Sequence, residues 1–247
     1  MMKYLSELMK LKIFTYDDII KLIGNKNSAK NILQNYLSKG YIKRIKKNLY
    51  TAISQVSLEC AASKYLIASN LTSNSFVSHH SAFEFYNYYN QIYNTVSVSS
   101  KHKFNNFEFE GYNYKLIQTN SMDFVLNIRG IKVSSIERTI IDSIKDNNKY
   151  SDLEETLNCI NMIPYINEED ILKYLEIINS KILYKKVGII LSLFKEKFNI
   201  SESFFVKCHD ISDNIKGYFD NNKQALVYNS LWKIYICKDL LNYIKKE

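Results

Sequence analysis

The sequence predicts an α+β protein: an N-terminal winged helix-turn-helix followed by a mixed α/β C-terminal domain with an antiparallel sheet and a helical stretch. Three observations carry this reading. Between Phe14 and Ile53 apolar residues follow a helical period twice and then give way to a short basic hairpin. Between Ile92 and Val133 the period changes to two, as in strands. From Ser134 helical spacing returns, until a strand-like tail begins near Phe219.

Residues 3–11 (KYLSELMKL) spell a short amphipathic helix with Leu5, Leu8 and Met9 inward. Thr15, with Asp18 three residues later, forms a capping box for the next helix, and Phe14 with Ile19 a hydrophobic staple. Ile19, Ile20 and Ile23 supply the buried stripe, and Gly24-Asn25 end the helix because both tolerate a left-handed backbone. The following helix sets Ala29, Ile32, Leu33, Tyr36 and Leu37 at i, i+3, i+4, i+7 and i+8, with Asn27 as expected N-cap and Gly40 as C-cap.

The other face of that helix carries Ser28, Lys30, Asn31, Gln34, Asn35 and Ser38. Short polar groups of this kind can read base edges, although an ordinary solvated face has the same composition. After Gly40, YIKRIKKNLYT turns Ile42, Ile45 and Leu49 inward and crowds Lys43, Arg44, Lys46 and Lys47 around a tight turn at Asn48. A basic hairpin beside a polar helix face can grip phosphates on either side of a groove. The expected DNA-binding set is therefore Ser28, Lys30, Asn31, Gln34, Asn35, Lys43, Arg44, Lys46 and Lys47, within a domain of residues 1–53.

Residues 54–247 form the expected C-terminal domain, with room for a subdivision near 145–150. A helix is expected over 56–70, with Ala61, Ala62, Tyr65 and Leu66 along one side, then a second in SHHSAFEFYN capped by Ser78. NTVSVSS, NFEFEGYNYKLI and FVLNIRGIKVS read as antiparallel strands, with Gly111 and Gly130 at turns or bulges. Ser134 and Glu137 suggest a capping box opening SIERTIIDSI, where Arg138 and Asp142 stand i, i+4 and could pair, for about a few tenths of a kcal/mol if exposed. Helices follow over 151–161, 167–179 and 181–198, the middle one after Pro164, the sole proline. Strands around Phe219 and in ALVYNSLWKIYI precede a last helix from Lys238.

Of the net charge of +8, all resides in the first fifty residues, which hold 11 Lys or Arg against 3 Asp or Glu. The basic character is thus a local footprint, as a nucleic-acid interface requires. Four cysteines at 60, 159, 208 and 237 match no metal-knuckle or CxxC spacing and fit a reducing compartment. No apolar run approaches 18 residues, so a cytoplasmic protein with no membrane partner is expected.

The six glycines lie at least 16 residues apart, which removes the P-loop and GxGxxG. GxSxG and HExxH are absent, and none of the 25 acidic residues has Lys two positions on, as a restriction-type nuclease would need. His79-His80 would point in different directions, and Cys208-His209 lacks partners, so both pairs are read as structural. No catalytic residue, metal ligand or cofactor is expected, and the chain is read as a non-enzyme. Its 20 tyrosines could stack single-stranded bases, but suit sheet surfaces and protein interfaces better.

Taken together and in order, GYIKRIKKNLYT, FVSHHSAFEFYN, VSSIERTIIDSI and VYNSLWKIYI resemble the AbiEi antitoxins of AbiE toxin–antitoxin systems, also described as predicted transcriptional regulators of a viral defence system. The resemblance runs from Phe14 to about Ile236. It implies a winged helix that represses its own operon through inverted repeats in the promoter, and a C-terminal region that neutralises a cognate nucleotidyltransferase-like toxin in abortive phage infection. Ser78, His79, Ser81, Ser135, Arg138, Thr139 and Asp142 match family-like positions and are read as structural. From the residues alone the alternative is a winged-helix transcriptional regulator whose C-terminal domain senses a small ligand.

Overall fold

The computed structural model describes residues 3–147, 149, 152–219, 226–237 and 240–241. They group into two units, each assembled from separated stretches. Residues 1–77, 94–121 and 127–132 make the first; 78–93, 122–126 and 133–247 make the second.

The first unit opens with α1 (Leu5–Leu11), β1 (Ile13–Phe14), α2 (Tyr16–Ile23), α3 (Lys26–Ser38), β2 (Ile42–Lys46) and β3 (Leu49–Ala52). The strands lie in the order β1-β3-β2, antiparallel throughout. The Thr15 capping box forms as expected: Asp18 N donates to Thr15 Oγ1 at 3.3 Å, and Thr15 N to Asp18 Oδ2 at 2.8 Å. The N-cap of α3 is Asn25, not Asn27. Asn25 Oδ1 accepts from Ser28 N at 3.0 Å, so the helix begins two residues earlier and Asn27 falls in its first turn. Gly40 at φ 70 follows the C-cap Lys39, and Tyr41 N closes the end on Tyr36 O at 2.9 Å. Leu5, Leu8, Phe14, Ile19, Ala29, Leu33, Tyr36, Ile42 and Tyr50 form one buried cluster.

The helix expected over 56–70 is shorter, α4 (Lys64–Ser69), capped by Ser63. Ser54 Oγ accepts from Ser57 N at 3.2 Å, a local bond that competes with helix formation. The chain instead folds back, pairing Ile53 with Cys60. Next come β4 (Phe76–Val77), α5 (His79–Phe85), β5 (Thr95–Ser100), β6 (Phe107–Phe109), β7 (Tyr112–Gln118), β8 (Val125–Ile128) and β9 (Ile131–Ser134). The strands join a sheet of order β6-β7-β5-β4-β9-β8.

That sheet is mixed, not antiparallel. After β5 the chain skips one strand position, returns as β6, and the β6–β7 hairpin inserts β7 parallel to β5, from Thr95↔Asn113 to Ser100↔Gln118. Glu110-Gly111 (φ 50, 75) and Arg129-Gly130 (φ 52, 83) turn the two hairpins with consecutive positive φ values, the primed geometry that matches strand twist.

The second unit contains α5 and α6 (Ile136–Lys145), α7 (Leu153–Met162), α8 (Glu168–Ile178), α9 (Lys181–Ser192), α10 (Lys195–Phe198) and α11 (Glu202–Ser212). A small sheet of order β10-β12-β11 follows, from β10 (Gly217–Tyr218), β11 (Leu226–Asn229) and β12 (Ile234–Cys237). Three expectations are corrected here. Ser135, not Ser134, caps α6, because the Ser134 hydroxyl is engaged by Thr139 Oγ1 at 2.7 Å and Glu137 instead accepts from Asn167 N. The helix expected over 181–198 breaks at Leu193-Phe194. An unexpected helix, α11, follows, with Ser201 accepting from Phe204 N. The expected helix from Lys238 lies outside the described residues except at 240–241, which are helical.

Arg138 and Asp142 pair as expected, and do so in the core: both are buried, with Nε to Oδ2 at 3.1 Å. Tyr174 donates to Asp142 Oδ1 at 3.1 Å and lies 5.1 Å below the guanidinium, which also reaches the Asp123 carbonyl. Trp232 is also buried in this unit, stacked on His209 at 3.9 Å. Among the described residues no helix is long and apolar enough to cross a membrane.

Candidate functional site

Within the first unit, the outer flank of α3 and the β2–β3 hairpin enclose a groove of about 1030 Å³, reaching the start of α2. Lys26, Lys30, Gln34 and Leu37 line it from α3, at the spacing that puts them on one helical stripe. Arg44, Lys47, Asn48 and Tyr50 line it from the hairpin, and Tyr16 and Asp17 from α2. The strand register shifts between Arg44 and Lys46. That irregularity lets Ile42 and Ile45, three apart, both bury while Arg44 is carried to the groove.

Tyr16 ties the walls together. Its backbone N donates to Asn48 Oδ1 at 3.0 Å and its hydroxyl to the Lys26 carbonyl at 3.0 Å, fixing the hairpin turn and the start of α3 to one residue. Asn48 sits at φ 60, a left-handed turn position that asparagine tolerates. The Arg44 guanidinium rests 5.6 Å from the Tyr50 ring centre, and Tyr50 stacks on Phe14 in the core. Four cations against the single carboxylate of Asp17 give the groove a positive field, and the Gln34 side chain lines it with them. Such a surface attracts phosphate oxygens.

The nine expected DNA-binding residues separate into three groups. Lys30, Gln34, Arg44 and Lys47 come together in the groove. Ser28, Asn31 and Asn35 are exposed on α3 but do not line it. Lys43 and Lys46 are committed within their own unit. Lys43 donates to Glu110 Oε1 at 2.7 Å, a bond that raises its pKa. Lys46 is half-buried, bonds the Leu71 carbonyl and lies 5.8 Å from the Phe104 ring centre; burial lowers its pKa. Lys26 and Tyr16 were not expected. Lys26 stands one turn before Lys30, and placing the cap at Asn25 reveals it.

A second polar concentration is buried in the other unit. His80 stands i, i+4 from Glu84 on α5, and Glu155 stands i, i+4 from Cys159 on α7. His80 Nδ1 is 3.3 Å from Glu84 Oε1 and Nε2 is 3.1 Å from Glu155 Oε1. The Cys159 thiol donates to that same Glu155 oxygen at 3.4 Å, as do Asn90 N and Gln91 N at 3.1 and 3.0 Å. Burial works against the Glu155 charge, yet these bonds outweigh it and hold the carboxyl below its ordinary value. Burial first, then the neighbouring Glu155 charge, push the Cys159 thiol upward. His79 faces the other way, with Nε2 3.4 Å from Asp146 Oδ2. His80, Glu155 and Cys159 are the residues here that could hold a metal ion.

No protein-family model matches the chain, and no curated protein matches it in sequence.

Proposed function

We propose that residues 1–53 are a winged helix-turn-helix that binds double-stranded DNA, with α3 as recognition helix and the β2–β3 hairpin as wing. The observation that carries the reading is the groove that Lys26, Lys30, Arg44 and Lys47 line together with Gln34. A helix of thirteen residues with a polar exposed face fits the width of a major groove, and flanking cations reach phosphates on its rims. The connectivity α1-β1-α2-α3-β2-β3, with β1 added to the hairpin, supports the same reading. Following the family resemblance, we assign the chain as a cytoplasmic antitoxin. It represses its own operon at inverted repeats and neutralises a nucleotidyltransferase-like toxin through residues 54–247, in phage defence, without catalysis of its own.

The test is fluorescence anisotropy of the full chain on its own promoter fragment and on random duplex, as a function of salt. Lys30→Ala, Arg44→Ala and Lys47→Ala each weaken binding to both duplexes and flatten the salt slope by about one unit per lost phosphate contact. Gln34→Ala lowers discrimination between promoter and random DNA. Lys43→Ala and Lys46→Ala act weakly, because both lysines are occupied within the protein. Equal salt slopes for the wild type and the Arg44 and Lys47 variants would remove this interface. Co-expression with the downstream gene product tests the antitoxin assignment: absence of growth rescue by well-expressed full-length protein refutes it and leaves DNA binding standing.

A further inference from the structure

We propose that His80, Glu155 and Cys159 form a binding site for a divalent transition metal of the zinc class. Imidazole nitrogen, carboxylate oxygen and thiolate sulfur together select zinc over magnesium or calcium. All three side chains are buried, and their ligand atoms lie within 4.8 Å of one another. Nε2 stands 3.1 Å from Oε1, and Oε1 3.4 Å from Sγ. Ligands bonded tetrahedrally to zinc at ~2.0–2.3 Å stand about 3.3–3.8 Å apart, so side-chain rotations that close the widest separation by about 1 Å seat the ion.

One atom in the cluster points to a cation: the buried Glu155 carboxylate collects four donors on Oε1 while its Oε2 has no hydrogen-bond partner. A metal on Nε2 requires the ring proton to sit on Nδ1, where Glu84 Oε1 is 3.3 Å away. That carboxylate is placed to accept it, the arrangement that orients a metal-bound imidazole. Tyr93 stacks on the His80 ring at 4.1 Å, and its own N is held by Glu84 Oε1 at 3.0 Å, which covers the site. Binding releases the thiol proton of Cys159 to solvent, so affinity falls as pH falls.

The test uses the full chain, stripped with a chelator and titrated with Co²⁺ as a spectroscopic stand-in for zinc. The expected result is a stoichiometric complex with a thiolate-to-cobalt charge-transfer band and the intense visible bands of tetrahedral coordination, both bleached by Zn²⁺. Cys159→Ser abolishes the charge-transfer band, and Glu84→Gln lowers affinity about 10–100-fold without abolishing it. Circular dichroism of the stripped variants separates lost ligation from lost folding. No charge-transfer band in the wild type, or one that survives in folded Cys159→Ser, overturns the proposal; the wild-type titration alone is decisive if a variant fails to fold.

Discussion

At Asn48 a left-handed backbone and a side-chain bond to Tyr16 N coincide. Asn48→Gly keeps the turn and loses the bond, whereas Asn48→Ala loses both, so urea unfolding should rank alanine as the more damaging by about 1 kcal/mol. Asp142 is a harsher case. Asp142→Ala leaves the buried Arg138 charge without its carboxylate and is expected to cost about 3–5 kcal/mol, read as a lower urea midpoint at unchanged slope. Asp146 sets a pH dependence. Burial alone would raise its carboxyl, but bonds from His79 and Lys149 hold it well below the ordinary 3.8. A carboxyl lower in the folded than the unfolded state stabilises above the ordinary value and loses that contribution as pH drops beneath it. Asp146→Asn should therefore flatten the stability curve below pH ~4 and leave a uniform loss above it.

Among the elements, those set by neighbouring residues were legible in the sequence. Thr15 with Asp18, Gly40 after α3 and the basic hairpin all follow from spacing of a few positions. The Asn25 cap and the Ser54 turn were local misses, where neighbouring polar residues competed for the same backbone groups, and the larger ones were decided by distant partners. Nothing near Arg138 announces that Tyr174 and the Asp123 carbonyl will take it into the core. The parallel β5–β7 pairing depends on a skipped strand position that alternation cannot express. In the basic hairpin, Lys43 and Lys46 looked equal to Arg44 and Lys47, but Glu110 and Leu71, far along the chain, claim them. α9 offers a test of packing at this scale. A Cβ at Gly188 would meet the Trp232 ring at 2.2 Å. Gly188→Ala should thus cost about 1–3 kcal/mol by thermal or urea unfolding, and Trp232→Leu in the same chain should recover part of it, the signature of direct coupling.

Over the whole molecule, the chain passes between the two units at 77/78, 93/94, 121/122, 126/127 and 132/133. The N-terminal stretch before those junctions is a contiguous piece with its own buried cluster. Ala61 N bonds Ala52 O at 2.8 Å and Ala62 N bonds Thr51 Oγ1 at 3.3 Å, so residues 54–62 cover β3. A fragment of residues 1–62 should melt cooperatively by circular dichroism at a higher temperature than 1–53, both being near the size where a single core is marginal. Folding of the second unit carries its own light source. Trp232 is the only tryptophan in the chain, buried with its indole against the His209 imidazole. Burial, followed by the Lys185 charge, keeps His209 neutral below its ordinary 6.5. Native emission should accordingly be blue-shifted at neutral pH and dim only in mild acid, when a protonated imidazole begins to quench it. Unfolding then shifts the fluorescence to the red, giving an unlabelled optical readout of that unit alone.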